Sequence, residues 1–371
     1  MFQAVNEYSR DDLWKKIDKE FPEGQLVCEM PSNIAIVKYW GKRDIQLPQN
    51  PSLSFTLSEA KTKTAISWQI TKNPGDGGIG VDLLYENKKN IQFEERLRTY
   101  FSSIRELCPF IDLVDFKIAT ENTFPHSAGI ASSASGFASI AVALMSLFKK
   151  FTGIQLSDTE FYEQASRLAR LGSGSASRSV FSSFAFWGRH KAMNIGSDEY
   201  AMPIDDVDPV FSTMRDAILI VDSSPKEISS SKGHRLMQEH PFAQVRYDQA
   251  GKNFEQLYRT LQNGDLESFI QICESEAMTL HALMATASPS YTLMRPNTLE
   301  IISRIKSFRK HSGHPVCFTM DAGPNVHLLF PEAVEHEVIG FIESELVPFL
   351  ENGQWINDRV GSGSREFLSY A

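Results

Sequence analysis

At 371 residues the chain exceeds what one small core serves, and fits either one large α/β unit or two domains sharing a cleft. Charged residues at 22% and hydrophobic ones at 42% are ordinary for a folded protein. A net charge of −9 and a pI near 5.6 argue against a general nucleic-acid binder, which neutralises phosphates with clustered Lys and Arg, so any anion site must be local.

Cys28, Cys108, Cys273 and Cys317 show no C-x-x-C spacing, so neither a zinc site nor a disulfide framework is indicated, and reduced buried thiols are expected. Met1 to Lys19 lacks the apolar core of a secretory signal. No uninterrupted apolar run approaches the ~18 residues of a membrane span. A cytoplasmic location with no membrane partner is the expectation.

In chain order, Leu13, Trp14, Ile17 and Phe21 stand at helical spacing, predicting a short amphipathic helix over Asp11 to Phe21. Leu26 to Val37 is apolar but interrupted by Pro31-Ser32-Asn33, which reads as strand, turn, strand. Lys38-Tyr-Trp-Gly-Lys-Arg-Asp44 packs three cations and two aromatics together, and a turn-rich loop follows at Leu47 to Ser52. Ser52 to Ser58 and Thr62 to Ile70 alternate polar and apolar, predicting two antiparallel strands. Asn73 to Gly78 reads as a turn, Val81 to Tyr85 as a strand, Phe93 to Cys108 as a helix and Asp115 to Thr120 as a strand. So many strands ahead of the first long buried helix indicate α+β with an antiparallel element.

Nearly every position from Ser127 to Ser139 is Ser, Ala or Gly, and Phe137, Ile140, Ala141, Leu144 and Phe148 continue as one helical stripe. Such a loop feeding a helix N-terminus can wrap a phosphate with free N–H groups, or can simply allow close packing. Ser157-Asp-Thr-Glu160 fits a capping box whose helix runs into a second loop of small residues, Leu171 to Arg178, before strand-like Phe184 to Trp187. Beyond it come a strand at Ala217 to Val221 and a serine-rich loop at Ser223 to Gly233. Helices follow at Tyr247 to Leu261, Leu266 to Leu283 and Thr298 to Lys310. Val316 to Met320 and Val326 to Phe330 are strands flanking the turn Asp321-Ala-Gly-Pro-Asn325, and Ala333 to Leu346 is a final helix. With no repeat or evident linker, a domain cut falls between residues 190 and 210.

Lys38 beside Val37 and Tyr39 reads either as a lysine snorkelling from a strand end or, beside phosphate loops, as a cation for a transferring phosphoryl group. Arg178 closes a serine-rich loop and offers a planar fork for a carboxylate or phosphate; an ordinary surface arginine is the alternative. Asp321 stands at a strand end, as a cleft carboxylate or an Asx turn. His126, His281 and His327 have no partner at ligand spacing and read as structural.

Pro31-Ser-Asn-Ile-Ala-Ile-Val-Lys-Tyr-Trp-Gly-Lys-Arg-Asp44 with Leu47-Pro-Gln-Asn-Pro-Ser-Leu-Ser-Phe-Thr-Leu57 resembles the N-terminal signature of the diphosphomevalonate decarboxylase family, within the GHMP small-molecule kinase superfamily. The loop before Phe137 resembles its ATP motif, Gly172 to Arg178 its substrate loop and Asp321 to Asn325 its catalytic aspartate motif. The resemblance implies an ATP-binding, ribosomal-protein-S5-like domain over residues 1–205, with an N-terminal extension, and a ferredoxin-like domain over 206–371. It implies Mg2+ and ATP as cofactors, a homodimer, and conversion of mevalonate 5-diphosphate to isopentenyl diphosphate, ADP, phosphate and carbon dioxide. A phosphomevalonate decarboxylase, a mevalonate 3-kinase and a non-catalytic ligand-binding homologue remain alternatives.

By the same resemblance, Asp321, Lys38 and Arg178 are catalytic. Asn33, Tyr39, Lys42, Ser173, Ser175 and Ser230 are on the substrate side. Asn50, Ser54, Gly129, Ala131, Ser132, Ser133, Ala134, Ser135 and Gly136 are on the ATP side, with Ser133 the candidate Mg2+ contact. Ser135 departs from the alanine usual there, and its hydroxyl reaches phosphate or packs.

Overall fold

The computed structural model describes residues 10–72, 79–125, 130–224 and 228–362, with the backbone of 369–370. The expected turn at 73–78 and the residues His126 and Gly129 lie outside them. Two sheets carry the fold. The first has eight strands, built on Glu23–Val37, Ser52–Ile70 and Val114–Asn122 as antiparallel neighbours. Val81–Tyr85 joins them parallel to Val114–Asn122, the helix Ile91–Ser103 making the crossover. Phe184–Trp187 pairs with the beginning of Ser52–Ile70.

The chain does not turn at Pro31. Glu23–Val37 is one strand, and its partner Ser52–Ile70 is one strand of 19 residues rather than the two expected. The register slips instead, Pro31 facing Lys61 while Asn33 faces Thr56. Proline has no N–H to lose from a ladder, so a slip beside it is cheap. The partner's surplus residues bulge out, and the N–H groups of Ser58, Glu59 and Ala60 donate to the Asp358 carboxylate at 2.7, 2.9 and 2.8 Å.

Asp358 comes from the second sheet, an antiparallel set in the order Cys317–Thr319, Val326–Phe330, Arg215–Leu219, Trp355–Arg359. In chain order helices lie between Arg215–Leu219 and Cys317–Thr319 and between Val326–Phe330 and Trp355–Arg359, the β-α-β-β-α-β pattern of a ferredoxin-like unit. Trp355–Arg359 gives no strand signal in the sequence, because Asn357 and Asp358 are poor strand formers. Ser369–Tyr370 returns to pair with Val27 and Leu26 of the first sheet. The final helix is also broken into a 3-10 turn at Glu332–Val334, an α segment at Glu335–Phe341 and a π turn at Ile342–Leu346.

The helix Ser132–Thr152 is the axis of the first unit. Phe137, Ile140, Ala141, Leu144 and Phe148 are buried as the stripe predicts, but so are Val142, Ala143, Met145 and Leu147, because neighbours cover it on every side. It is long and apolar enough to cross a membrane by composition, yet 83% of its most apolar window lies buried inside the fold. The Ser157–Glu160 capping box forms as expected, Ser157 accepting from the Glu160 N–H and Glu160 from the Ser157 N–H. One apolar cluster runs through both sheets, joining Ile34, Phe55 and Phe184 to Phe211, Ile218 and Phe254. All four cysteines are buried free thiols.

Candidate active site

Where the two units meet, a cavity of about 380 Å3 opens between the two small-residue loops and the end of the first strand. Lys38 leaves that strand into the cavity wall with 2% of its surface exposed. Its Nζ donates to the Ala35 carbonyl at 2.5 Å and to Asp321 Oδ1 at 2.9 Å, an ion pair that crosses from one unit to the other. Asp321 is held by its turn: Gly323 N–H donates to its carbonyl at 2.7 Å, Thr298 bonds the Pro324 carbonyl, and Asn325 Oδ1 accepts from Val221 and Asp222.

The main chain of Lys38 is gripped as firmly as its ammonium. Its N–H donates to Glu276 Oε2 at 2.8 Å, and its carbonyl accepts from Asn50 Nδ2 at 3.0 Å and Arg246 Nη2 at 3.2 Å. Arg246 and Glu276 pair bidentately at 2.6 and 2.7 Å on the helices Ala243–Asn263 and Leu266–Ala285, both side chains almost wholly buried. Asn253 completes the carboxylate's coordination at 2.6 Å. A charge pair so buried needs its donors and acceptors matched, and here both Nη groups and the whole carboxylate are, while the Arg246 Nε is left without a partner among the described residues.

Arg178, 1% exposed, donates Nε to Ser54 Oγ at 2.8 Å, Nη1 to Ser52 Oγ at 2.6 Å and Nη2 to Asn33 Oδ1 at 3.4 Å. Burial lowers its guanidinium to about 10, the nearby Asp321 and Tyr39 opposing the shift, so it remains a cation at neutral pH. A fork has more N–H donors than these three bonds use, and Arg178 lines the cavity. The loops meet at Ser133 and Ser173, whose hydroxyls lie 3.3 Å apart, with Ser175 Oγ 3.4 Å from Ser173. Gly174 allows the loop to approach, since a Cβ there would sit 2.7 Å from the Tyr39 ring and 2.8 Å from Trp187.

Lys38, Tyr39, Lys42, Ala131, Ser132, Ser133, Ser173, Ser175, Arg178, Ser230 and Asp321 all line this cavity. The Tyr39 hydroxyl is enclosed with no partner among the described residues, and burial raises it far above an ordinary phenol. Burial, then Arg235 and Arg96, push Lys42 below its usual range.

Other residues assigned from the sequence do not line the cavity. Ser135 is fully buried and bonds Thr62 Oγ1 at 2.6 Å, so its hydroxyl packs against the sheet rather than meeting phosphate. Ala134 is buried beside it, and Gly136 lies beyond the cavity wall in the same helix. Asn50 and Ser54 support Lys38 and Arg178 from behind, and Asn33, bonded also to Ser179 Oγ and the Ser175 carbonyl, orients Arg178 without lining the cavity. Arg96 and His234 are cavity residues the sequence reading missed, since neither sits in a small-residue or Gly-Pro signal; Arg96 stacks on Phe137 at 4.8 Å.

The chain matches the family model described as diphosphomevalonate decarboxylase-like N-terminal domain over residues 30–201. It matches that described as mevalonate 5-diphosphate decarboxylase C-terminal domain over 217–362. It is 31% identical to the diphosphomevalonate decarboxylase of Aspergillus fumigatus, over 86% of this chain and 80% of the relative. This chain belongs to the diphosphomevalonate decarboxylase family. The chain is 30% identical to the human diphosphomevalonate decarboxylase, over 82% of this chain and 76% of that one. A solved mevalonate diphosphate decarboxylase from Staphylococcus aureus superposes with a TM-score of 0.78 at 27% identity, over 94% of this chain and 98% of the other. A relative solved with MVAPP, AMPPCP and magnesium gives a TM-score of 0.78 at 26% identity, over 94% and 99%. This member of the family is thus an ATP-dependent decarboxylase with a GHMP-type fold.

No group of three or more His, Cys, Asp or Glu side chains is placed to hold a metal among the described residues. Serine hydroxyls beside a phosphate-sized space do fit Mg2+, which favours hard oxygen donors and is commonly held through substrate phosphates and water.

Proposed function

We propose that this chain converts mevalonate 5-diphosphate to isopentenyl diphosphate, with ATP giving ADP and phosphate and with release of carbon dioxide, through transient phosphorylation of the substrate's tertiary hydroxyl. The observation that carries this reading is the Lys38–Asp321 ion pair at 2.9 Å in the same cavity as Arg178 and the two serine loops. Asp321 accepts the hydroxyl proton as oxygen attacks the γ-phosphorus, and Lys38 neutralises charge gathering between them. Arg178 holds the carboxylate with the donors its serine and asparagine partners leave over. Lys42, Tyr39, Ser173, Ser175 and Ser230 bind the diphosphate. Ser133 would be the protein residue to hold Mg2+, which would supply further neutralisation of phosphate charge.

Phosphorylation turns hydroxide, a poor leaving group, into phosphate. Its departure with the bonding pair leaves an electron-deficient carbon next to the one bearing the carboxylate. The carbon–carboxylate bond then breaks, its electrons form the double bond and carbon dioxide leaves. A cleft that excludes water protects this step from hydrolysis. A cytoplasmic homodimer belongs to the same proposal.

Purified protein incubated with ATP, Mg2+ and either mevalonate, its 5-phosphate or its 5-diphosphate provides the test, following ADP and carbon dioxide together. Both products should form in equal amounts from the diphosphate alone. ADP without carbon dioxide would identify a kinase, and preference for the monophosphate would replace the substrate.

A further inference from the structure

His234 lies on the short helix Ser230–Leu236, 8% exposed, and lines the cavity. Its ring packs on Tyr39 at 4.3 Å and on Trp40 at 4.8 Å between centroids. The Gly41 N–H donates to its Nδ1 at 3.0 Å. That bond needs Nδ1 as an acceptor, so the neutral ring carries its proton on Nε2. Nδ1 carries this bond, no bond to Nε2 stands among the described residues, and His234 lines the cavity. Gly41 makes this possible: at φ +100 it turns the chain so that its N–H faces the imidazole.

We propose that His234 is a neutral hydrogen-bond donor to the substrate's diphosphate, its Nε2–H aimed at that anion by the Gly41 contact. This rests on the diphosphate substrate proposed above. The anion end of the cavity is where His234 sits, on Tyr39 and within the field of Lys42. Burial first, and Lys42 second, hold the imidazole at about 3, so it donates without adding a further cation. An Nε2–H beside a bound diphosphate replaces the water that phosphate oxygens lose on entering the cavity. It also fixes where the anion rests relative to Lys38 and Asp321.

Two substitutions separate the ring's two nitrogens. In His234→Asn, Oδ1 can still accept the Gly41 N–H, but nothing reaches the position of Nε2. In His234→Gln, an amide N–H reaches that position. The full chain and both variants are assayed for KM and kcat with mevalonate 5-diphosphate, for binding of inorganic diphosphate by calorimetry, and for thermal midpoint. A hydrogen bond to a charged acceptor gives an expected weakening of about 10- to 100-fold in KM and in diphosphate affinity for His234→Asn. Its midpoint should stay near wild type, and His234→Gln should recover most of the affinity. Diphosphate affinity and KM within twofold of wild type in His234→Asn would overturn the proposal, as would equal losses in both variants. Weakened diphosphate binding without turnover of mevalonate 5-diphosphate by wild type would sink the proposed function while upholding His234. A wild type that neither turns over nor binds diphosphate removes both.

Discussion

Asp321 and Lys38 meet in a pocket where the lysine is 2% exposed and the aspartate 26%, so the carboxylate is open to the cavity while the ammonium is enclosed. Asp321→Asn removes the proton acceptor and should lower kcat by roughly 10²- to 10⁴-fold while ATP affinity, read by nucleotide titration, changes little. Near-normal turnover would remove Asp321 from the chemistry. Arg178→Lys keeps a charge but loses the fork anchored by Ser52, Ser54 and Asn33, and should raise KM for the carboxylate substrate more than KM for ATP. His234 carries a pH prediction. Its ring stays neutral down to about 3 in the fold, whereas an unfolded histidine protonates near about 6.5. Between those values the unfolded chain binds the extra proton, so stability falls as pH drops below about 6.5, by up to roughly 1.4 kcal/mol per pH unit from this residue. Urea midpoints between pH 4.5 and 6.5 should slope less steeply in His234→Gln; parallel slopes would contradict the assignment.

At the scale of elements, Lys38 depends on two helices of the other unit. Glu276 and Arg246 fix both polar groups of its peptide, so Glu276→Gln leaves Arg246 buried without its counter-charge. A loss of about 3–5 kcal/mol in urea unfolding is expected, with reduced kcat in whatever fraction stays folded. The register slip at Pro31 is the other joint. Asp358→Asn replaces a carboxylate accepting three bulge N–H groups by an amide with one acceptor oxygen, and should cost about 1–3 kcal/mol in the same measurement. Both joints were invisible in the chain order, because the partners are separated by 238 and about 300 positions. Local signals did show the Ser157 capping box, the small-residue loops and the turn after Asp321. They misread Pro31-Ser32-Asn33 as a turn because Pro, Ser and Asn favour turns wherever no long partner strand compels extension.

Across the whole molecule, the apolar cluster shared by both sheets makes the cleft a wall of one core rather than a gap between independent bodies. Arg178 and Lys38 enter from the first unit, Asp321, Ser230 and His234 from the second, and none forms a site without the other side. Calorimetry should therefore give one cooperative unfolding transition; two separated transitions would show that the units melt independently. The return of Ser369–Tyr370 to the first sheet binds the ends together as well.

The sequence by itself determined the α+β class, the buried helix after the first small-residue loop and Lys38, Lys42, Arg178 and Asp321 as charged candidates that line the cavity. Periodicity, small-residue loops and Gly-Pro turns act over a few positions, and a few positions suffice to express them. Tertiary structure alone decided which candidates touch the cavity. Ser135, Asn33, Asn50 and Ser54 turn inward because neighbouring polar groups in the sheet and the Arg178 and Lys38 supports need partners. Arg96 and His234 line the cavity because distant elements bring them there. A side chain's type limits what it can donate or accept, but its surroundings decide to whom.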